Sequence, residues 1–262
     1  MMGIISNMKK HRLFLLRGLV REKAHWGDFP ETLKQKLPDW DFHFVEIPGV
    51  GEFHHLTTPA SLEEMVDFMR ERNKHLFTAD SECMILALSL GGMIARCWME
   101  RYPDDFTRAI LVNTSFRGLS PIWRRLQPAA ILEFTKIFLT PDISTREKNI
   151  LGLVSNNKDA HPVHLKNWDE VQKQRPVSRQ SFINQVIAAI KYRPALTPPK
   201  PRLLILTGAQ DRLCHYSCSI EIYKKWRGSI RIHPTSGHDI PIDASEWVID
   251  KITEWIKQNR GF

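Results

Sequence analysis

Three residues of the 262-residue chain have the types and the order needed to activate a hydroxyl: Ser89, Asp211 and His238. A serine hydroxyl is a poor nucleophile at neutral pH, so it needs a base within hydrogen-bond reach and a third group that holds that base in the right tautomer. His238, in Ser236-Gly237-His238-Asp239, is the candidate base, and Asp211, in Thr207-Gly208-Ala209-Gln210-Asp211, is the candidate orienter. Asp239 is a second candidate acid, but its adjacency to the histidine is expected to turn its side chain away. Taken singly, Ser89 also reads as a helix cap after a buried strand, and His238 as a surface or core histidine.

Each of the three sits at the end of a strand pattern. Cys83 to Leu88 is uniformly apolar, as a parallel strand covered on both faces should be, while Met93, Ile94, Cys97 and Trp98 recur at helical spacing. The period therefore changes at Ser89, which predicts strand, sharp turn and helix, with Ala87 and Gly91 small enough to let them approach. Leu203 to Thr207 predicts the strand before Asp211, and Ile230 to His233 the strand before His238. Leu13 to Leu16, Asp41 to Ile47 and Arg108 to Asn113 bring the expected strands to six, all parallel. Asp28 is placed to cap a helix through Leu37, with Pro30 in its first turn, and Ser61 with Glu64 has the spacing of a capping box. Leu62, Met65, Val66, Met69 and Leu76 continue that helix as an apolar stripe, Ser217 to Trp226 predicts another helix, and Ala244 to Lys257 closes the chain as an amphipathic one. Between Arg117 and Lys200 the strand–helix rhythm lapses, and Ile131–Leu139, Glu147–Val154 and Ser181–Ile190 read as helices.

The serine, acid, histidine order and the segment Ala87-Leu88-Ser89-Leu90-Gly91, a Gly-x-Ser-x-Gly elbow with alanine first, resemble the α/β-hydrolase superfamily over nearly the whole chain. The resemblance implies an α/β fold with a shortened, mostly parallel sheet of six strands and helices on both faces. Residues 1–116 and 201–262 would form the core, and 117–200 a helical cap. The leading strand pair of larger members has no room in the first twelve residues. Carried over from the family, the oxyanion-hole donors are the backbone N–H groups of Leu19 and Leu90. Arg17 stands in Arg17-Gly18-Leu19 where the family commonly has histidine; it either ties the loop down or places a cation beside the substrate. Arg17, Trp26 and Asn113 are the candidate substrate contacts, although Trp26 reads first as an aromatic residue that packs the loop, with substrate contact as its alternative. Asn113 lies where some hydrolases place the catalytic acid. Pro48-Gly49-Val50-Gly51 resembles another family loop.

A serine nucleophile argues against haloalkane dehalogenases and epoxide hydrolases of this fold, which attack with aspartate. The expected reaction is cleavage of a carboxylic ester or thioester through an acyl-enzyme. Amidase, acyltransferase and C–C hydrolase activities share the triad, and a non-catalytic ligand-binding homologue is the alternative from another class. The cap resembles in size and placement those of small carboxylesterases, among them the esterase that acts on the pimeloyl-acyl-carrier-protein methyl ester. Residues 117–200 carry fourteen lysines and arginines against six acids, which accounts for the whole net charge of +8. That surplus is either a solvated surface or a dock for an acidic carrier such as acyl-carrier protein or coenzyme A. No recognition motif accompanies it, so nucleic acid is not expected. Cys83 and Cys97 fall on a buried strand and helix; Cys214 and Cys218 read as two helix-face cysteines rather than a metal site, and no metal or organic cofactor is called for. The apolar stretch after the basic end of Met1–Arg12 is far too short for a signal peptide or a membrane span, so the expected location is the cytoplasm.

Overall fold

A computed structural model describes residues 10–259; the expectations for the first nine residues lie outside that range. The chain runs β1 (Lys10–Leu16), α1 (Phe29–Lys36), β2 (Trp40–Val45), α2 (Leu62–Asn73), β3 (Ser81–Leu88), α3 (Leu90–Arg101) and β4 (Arg108–Val112). Five helices follow: α4 (Ile122–Arg125), α5 (Pro128–Leu139), α6 (Ile143–Val154), α7 (His161–Gln174) and α8 (Arg179–Lys191). The sheet then resumes with β5 (Arg202–Gly208), α9 (Ser217–Trp226), β6 (Ser229–His233), α10 (Ile240–Asp243) and α11 (Ser245–Gln258).

The six strands pair in the order β2-β1-β3-β4-β5-β6, every pair parallel. Successive side chains of a strand point to opposite faces, so the continuous apolar runs supply two cores. Phe14, Ile85, Ala109 and Ile205 pack with Met65, Ile94, Trp98 and Ile222 of α2, α3 and α9. Leu15, Leu86, Ile110 and Leu204 pack with Leu33, Val248, Ile252 and Trp255 of α1 and α11. Each fully buried aliphatic side chain there stabilises the fold by roughly 1.5–3 kcal/mol over an exposed one, so Leu86→Asp would break both the layer and the strand. β2 and β6 are edge strands with partly exposed residues, which is why their sequences alternate.

Two local expectations need correction, and one helix is an addition. Asp28 occupies the N-cap position of α1, yet its side chain makes no capping bond. Its backbone is helical rather than extended, and Pro30 at the second helical position has no N–H to offer. Ser61 Oγ does accept from Glu64 N at 3.3 Å, but the acid it meets is Glu63, at 2.8 Å. The polar helix α7 was not among the sequence expectations; Pro162 in its first turn and Leu165 and Trp168 three apart are its signals. Among the described residues, no helix is long and apolar enough to cross a membrane.

Candidate active site

Ser89 joins β3 to α3 with φ 58 and ψ −118, a conformation that costs a non-glycine residue about 1–3 kcal/mol. It is clamped at both ends: its N–H donates to Val112 O (2.8 Å), and its carbonyl accepts from Thr114 Oγ1 (2.8 Å) and Gly92 N (2.9 Å). A β-carbon on Gly91 would lie 2.6 Å from the Arg17 carbonyl oxygen, so the small residue is required by the end of β1. Among the described residues four non-glycine positions have positive φ, and three of them, Val20, Ser89 and Asn113, gather here. Strain of this kind clusters where structure serves function.

The structure brings Ser89, Asp211 and His238 together. His238 Nε2 lies 2.8 Å from Ser89 Oγ, and its Nδ1 lies 2.7 Å from Asp211 Oδ2. The other carboxylate oxygen, Oδ1, accepts from Leu213 N (2.7 Å) and Cys214 N (2.9 Å), which aims Oδ2 at the imidazole. Gln127 Nε2 donates to the Asp211 carbonyl at 2.6 Å, tying the acid loop to the start of α5. With the proton on Nδ1 facing the carboxylate, Nε2 is an acceptor for the serine hydroxyl. Both side chains of the acid–base pair are buried, so little water competes. Such an arrangement can deprotonate a serine as it attacks a carbonyl.

The family model described as serine aminopeptidase, S33 matches residues 48–245, about three-quarters of the chain. The chain belongs to this family of α/β-hydrolases. No curated protein matches its sequence. A thermophilic esterase from Thermogutta terrifontis is similar over 95% of this chain and 90% of its own, with 18% identity and a TM-score of 0.71. The 2-hydroxy-6-oxo-6-phenylhexa-2,4-dienoate hydrolase of a Rhodococcus species covers 95% of this chain and 91% of its own at 16% identity and TM-score 0.72. A lipase-esterase related protein from Clostridium acetobutylicum does so over 95% and 96%, with 14% identity and a TM-score of 0.71. At these identities the likeness is one of fold.

In this hydrolase the other candidate residues have specific places. Leu19 and Leu90 both line the cavity beside Ser89, and among the described residues neither backbone N–H donates to another protein group. Leu90 N opens α3, where the helix dipole favours negative charge. The loop after β1 is held by Val20 N, which donates to Gln185 Oε1 of α8 at 2.9 Å. Asn113 has no free valence for a substrate. Its Nδ2 donates to the carbonyls of Gly237 (3.1 Å) and His238 (2.6 Å), while Oδ1 accepts from Thr207 Oγ1 (2.9 Å) and Gly208 N (3.0 Å). It fastens the histidine loop to β5.

Arg17 lines the cavity wall but is committed to Asp239 through two hydrogen bonds of 3.2 and 2.5 Å, and both partners are buried. Asp239 thus faces Arg17 and not His238. Trp26 does not contact the cavity; it lies beneath the Arg17 guanidinium, 4.8 Å from its ring centroid, and stacks on Phe29. Of Cys214 and Cys218, which the sequence places together on a helix face, Cys218 alone sits on a helix, since Cys214 belongs to the acid loop. Among the described residues no group of three potential ligands is placed to hold a metal ion.

A cavity of about 390 Å³ opens over Ser89 and His238. The sheet loops form its floor, and α4 to α8 contribute apolar walls that include Phe134, Ile137, Phe138, Ile150 and Phe182. One side holds a polar cluster that sequence reasoning missed. Arg21 Nη1 pairs with Glu147 Oε2 at 2.8 Å, both buried, and the guanidinium stands 4.4 Å over the Trp168 ring. His25 is buried beside it, and desolvation together with Arg21 holds its pKa well below the usual histidine range. Nothing local marks these residues in the sequence, because α6 and α7 bring them to the loop from more than a hundred positions away.

Proposed function

We propose that the protein hydrolyses carboxylic esters, thioesters included, through an acyl-enzyme on Ser89. The observation that carries this reading is the continuous hydrogen-bonded series Ser89 Oγ, His238 and Asp211, facing an apolar cavity. Ser89 Oγ attacks the acyl carbon while His238 Nε2 takes its proton, and Asp211 stabilises the imidazolium. The tetrahedral oxyanion turns to the N–H groups of Leu19 and Leu90, each donor being worth roughly 3 kcal/mol in comparable sites. The intermediate collapses, His238 returns the proton to the departing alcohol or thiol, and a water deprotonated by the same histidine releases the acid. Residues 117–200 serve as a cap that shapes the acyl pocket and sheds water from the reaction.

Cavity charge favours an ester over the peptide substrate suggested by the family's description. An aminopeptidase must hold an α-ammonium group, whereas this wall carries five arginines and two carboxylates, Glu147 and Asp239, each already paired. The test is intact-mass labelling with a fluorophosphonate, alongside turnover of p-nitrophenyl esters of increasing chain length. One adduct on the wild type and none on Ser89→Ala, with turnover, is expected. Turnover that survives Ser89→Ala, or a wild type that neither labels nor turns over, would overturn the reading.

A further inference from the structure

The two cavity carboxylates do not balance its arginines. Asp239 is taken by Arg17 and Glu147 by Arg21, which leaves Arg125 of α4, Arg146 of α6 and Arg179 of α8. Arg146 lies 4.0 Å from Glu147, and Arg179 is exposed at the rim. Arg125 is different: it is half-buried and has no carboxylate beside it. Its Nη2 donates to the Ala189 carbonyl at 3.0 Å, and its Nε is buried with no hydrogen-bond partner among the described residues. The ionisable groups around it are the thiols of Cys214 and Cys218 and the like-charged Arg117; no carboxylate is among them. Burial lowers its pKa from the ordinary arginine value.

A cation partly withdrawn from water without a counter-ion carries an uncompensated desolvation cost, and an anion that arrives with the ligand recovers part of it. The lining next to it is apolar, with Leu126, Ala189 and Ile190, so an ionic contact on the cavity side would be less screened than one in open water. We infer that the substrate carries an anionic group, a carboxylate in the simplest case, which Arg125 receives inside the cavity while the ester carbonyl lies at Ser89. The site rests on the hydrolase reading for its second half only; the anion subsite is independent of turnover. It also gives an inward use to part of the basic surplus of residues 117–200.

The probes are the monoethyl and diethyl esters of succinate, adipate and suberate, with the acetate ester of 4-hydroxybutyrate placing the charge on the alcohol side. For at least one of these pairs, or for the alcohol-side probe against ethyl acetate, kcat/KM should favour the anionic ester about tenfold, equivalent to ~1.4 kcal/mol. In Arg125→Gln that ratio should fall to near one, and in Arg125→Lys, which keeps the charge, it should stay above one. Calorimetry on Ser89→Ala with the same compounds reads binding without turnover. Charge-selective binding with no wild-type turnover would sustain the anion site and remove the hydrolase reading. Turnover without charge preference, or a preference unmoved in Arg125→Gln, would overturn the anion site and leave the hydrolase reading standing.

Discussion

At the carboxyl edge of the sheet an added methyl group has no room, whereas in the helices between β4 and β5 it has plenty. A β-carbon on Gly208 would overlap the Ser236 carbonyl oxygen and sit 2.5 Å from that of Gly237, while one on Gly152 of α6 would meet nothing within 4 Å. The same contrast holds for side chains. Of the large apolar residues left exposed among the described residues, nine fall between Ile122 and Leu196, including Trp123, Leu139 and Val163, and two, Phe44 and Ile232, lie elsewhere. The apolar clusters of the helices are small, centred on Ala130, Ile137 and Leu153 and on Leu151 and Trp168, against two extended cores on the sheet. The proposed reacting groups are thus held by backbone in contact with backbone, and the proposed acyl-pocket walls by looser side-chain packing. Sites built on such rigid elements keep their geometry when the walls change.

Substitutions can break or sharpen this difference. Ser89→Ala should lower kcat by ~10⁴-fold or more and leave the thermal midpoint unchanged or slightly lower. A loss below tenfold would mean that the reaction lies elsewhere. Gly208→Ala should destabilise the fold by about 3 kcal/mol, because backbone carbonyls cannot retreat as a flexible side chain can. Urea unfolding would read it, and a change under ~0.5 kcal/mol would place the two loops farther apart than described. Asn113→Ala strips the carbonyls of Gly237 and His238 and the N–H of Gly208 of their partner. It should reduce kcat about 100-fold with little change in KM, since Asn113 lines the cavity with its amide already committed to protein partners and its loss loosens the base; an increase confined to KM would return Asn113 to substrate binding. Gly152→Ala should do the opposite of Gly208→Ala, raising stability by about 0.5–1 kcal/mol through helix propensity alone.

The central strands are readable in the sequence because β1, β3, β4 and β5 are buried on both faces and show unbroken apolar runs. Ser89 and Asp211 are readable because each follows such a run, and His238 because it follows the shorter alternating pattern of β6. Asn113 is not, since its role depends on the β4–β5 register, Val112 beside Leu206, which sets its side chain against Thr207 and Gly208. Arg17 and Asp239 lie 222 positions apart, and no periodicity relates them. Trp26 reads as a candidate substrate contact by its position in the loop; only packing shows that the Arg17 guanidinium stands between it and the cavity side. α7 hides because a polar helix over a small cluster leaves a weak apolar period.

One carboxylate spans both regions. Asp243, in α10, accepts from Ser155 Oγ and from the backbone N–H groups of Asn156 and Asn157 just after α6, and from Gly237 N beside the base. Asn156 Nδ2 in turn donates to the carbonyls of Gln210 and Thr235, next to the acid and within the histidine loop. Chimeras that exchange residues 117–200 for the corresponding stretch of another hydrolase would therefore inherit a seam at 155–157. A donor lacking the side chains of Ser155 and Asn156 would lose the Oγ bond to Asp243 and both Nδ2 bonds to the acid and histidine loops, leaving the backbone N–H groups alone to hold the seam one short helix from His238. Grafts that retain the three residues should stay active with new specificity, and those that replace them should arrive with a misaligned base.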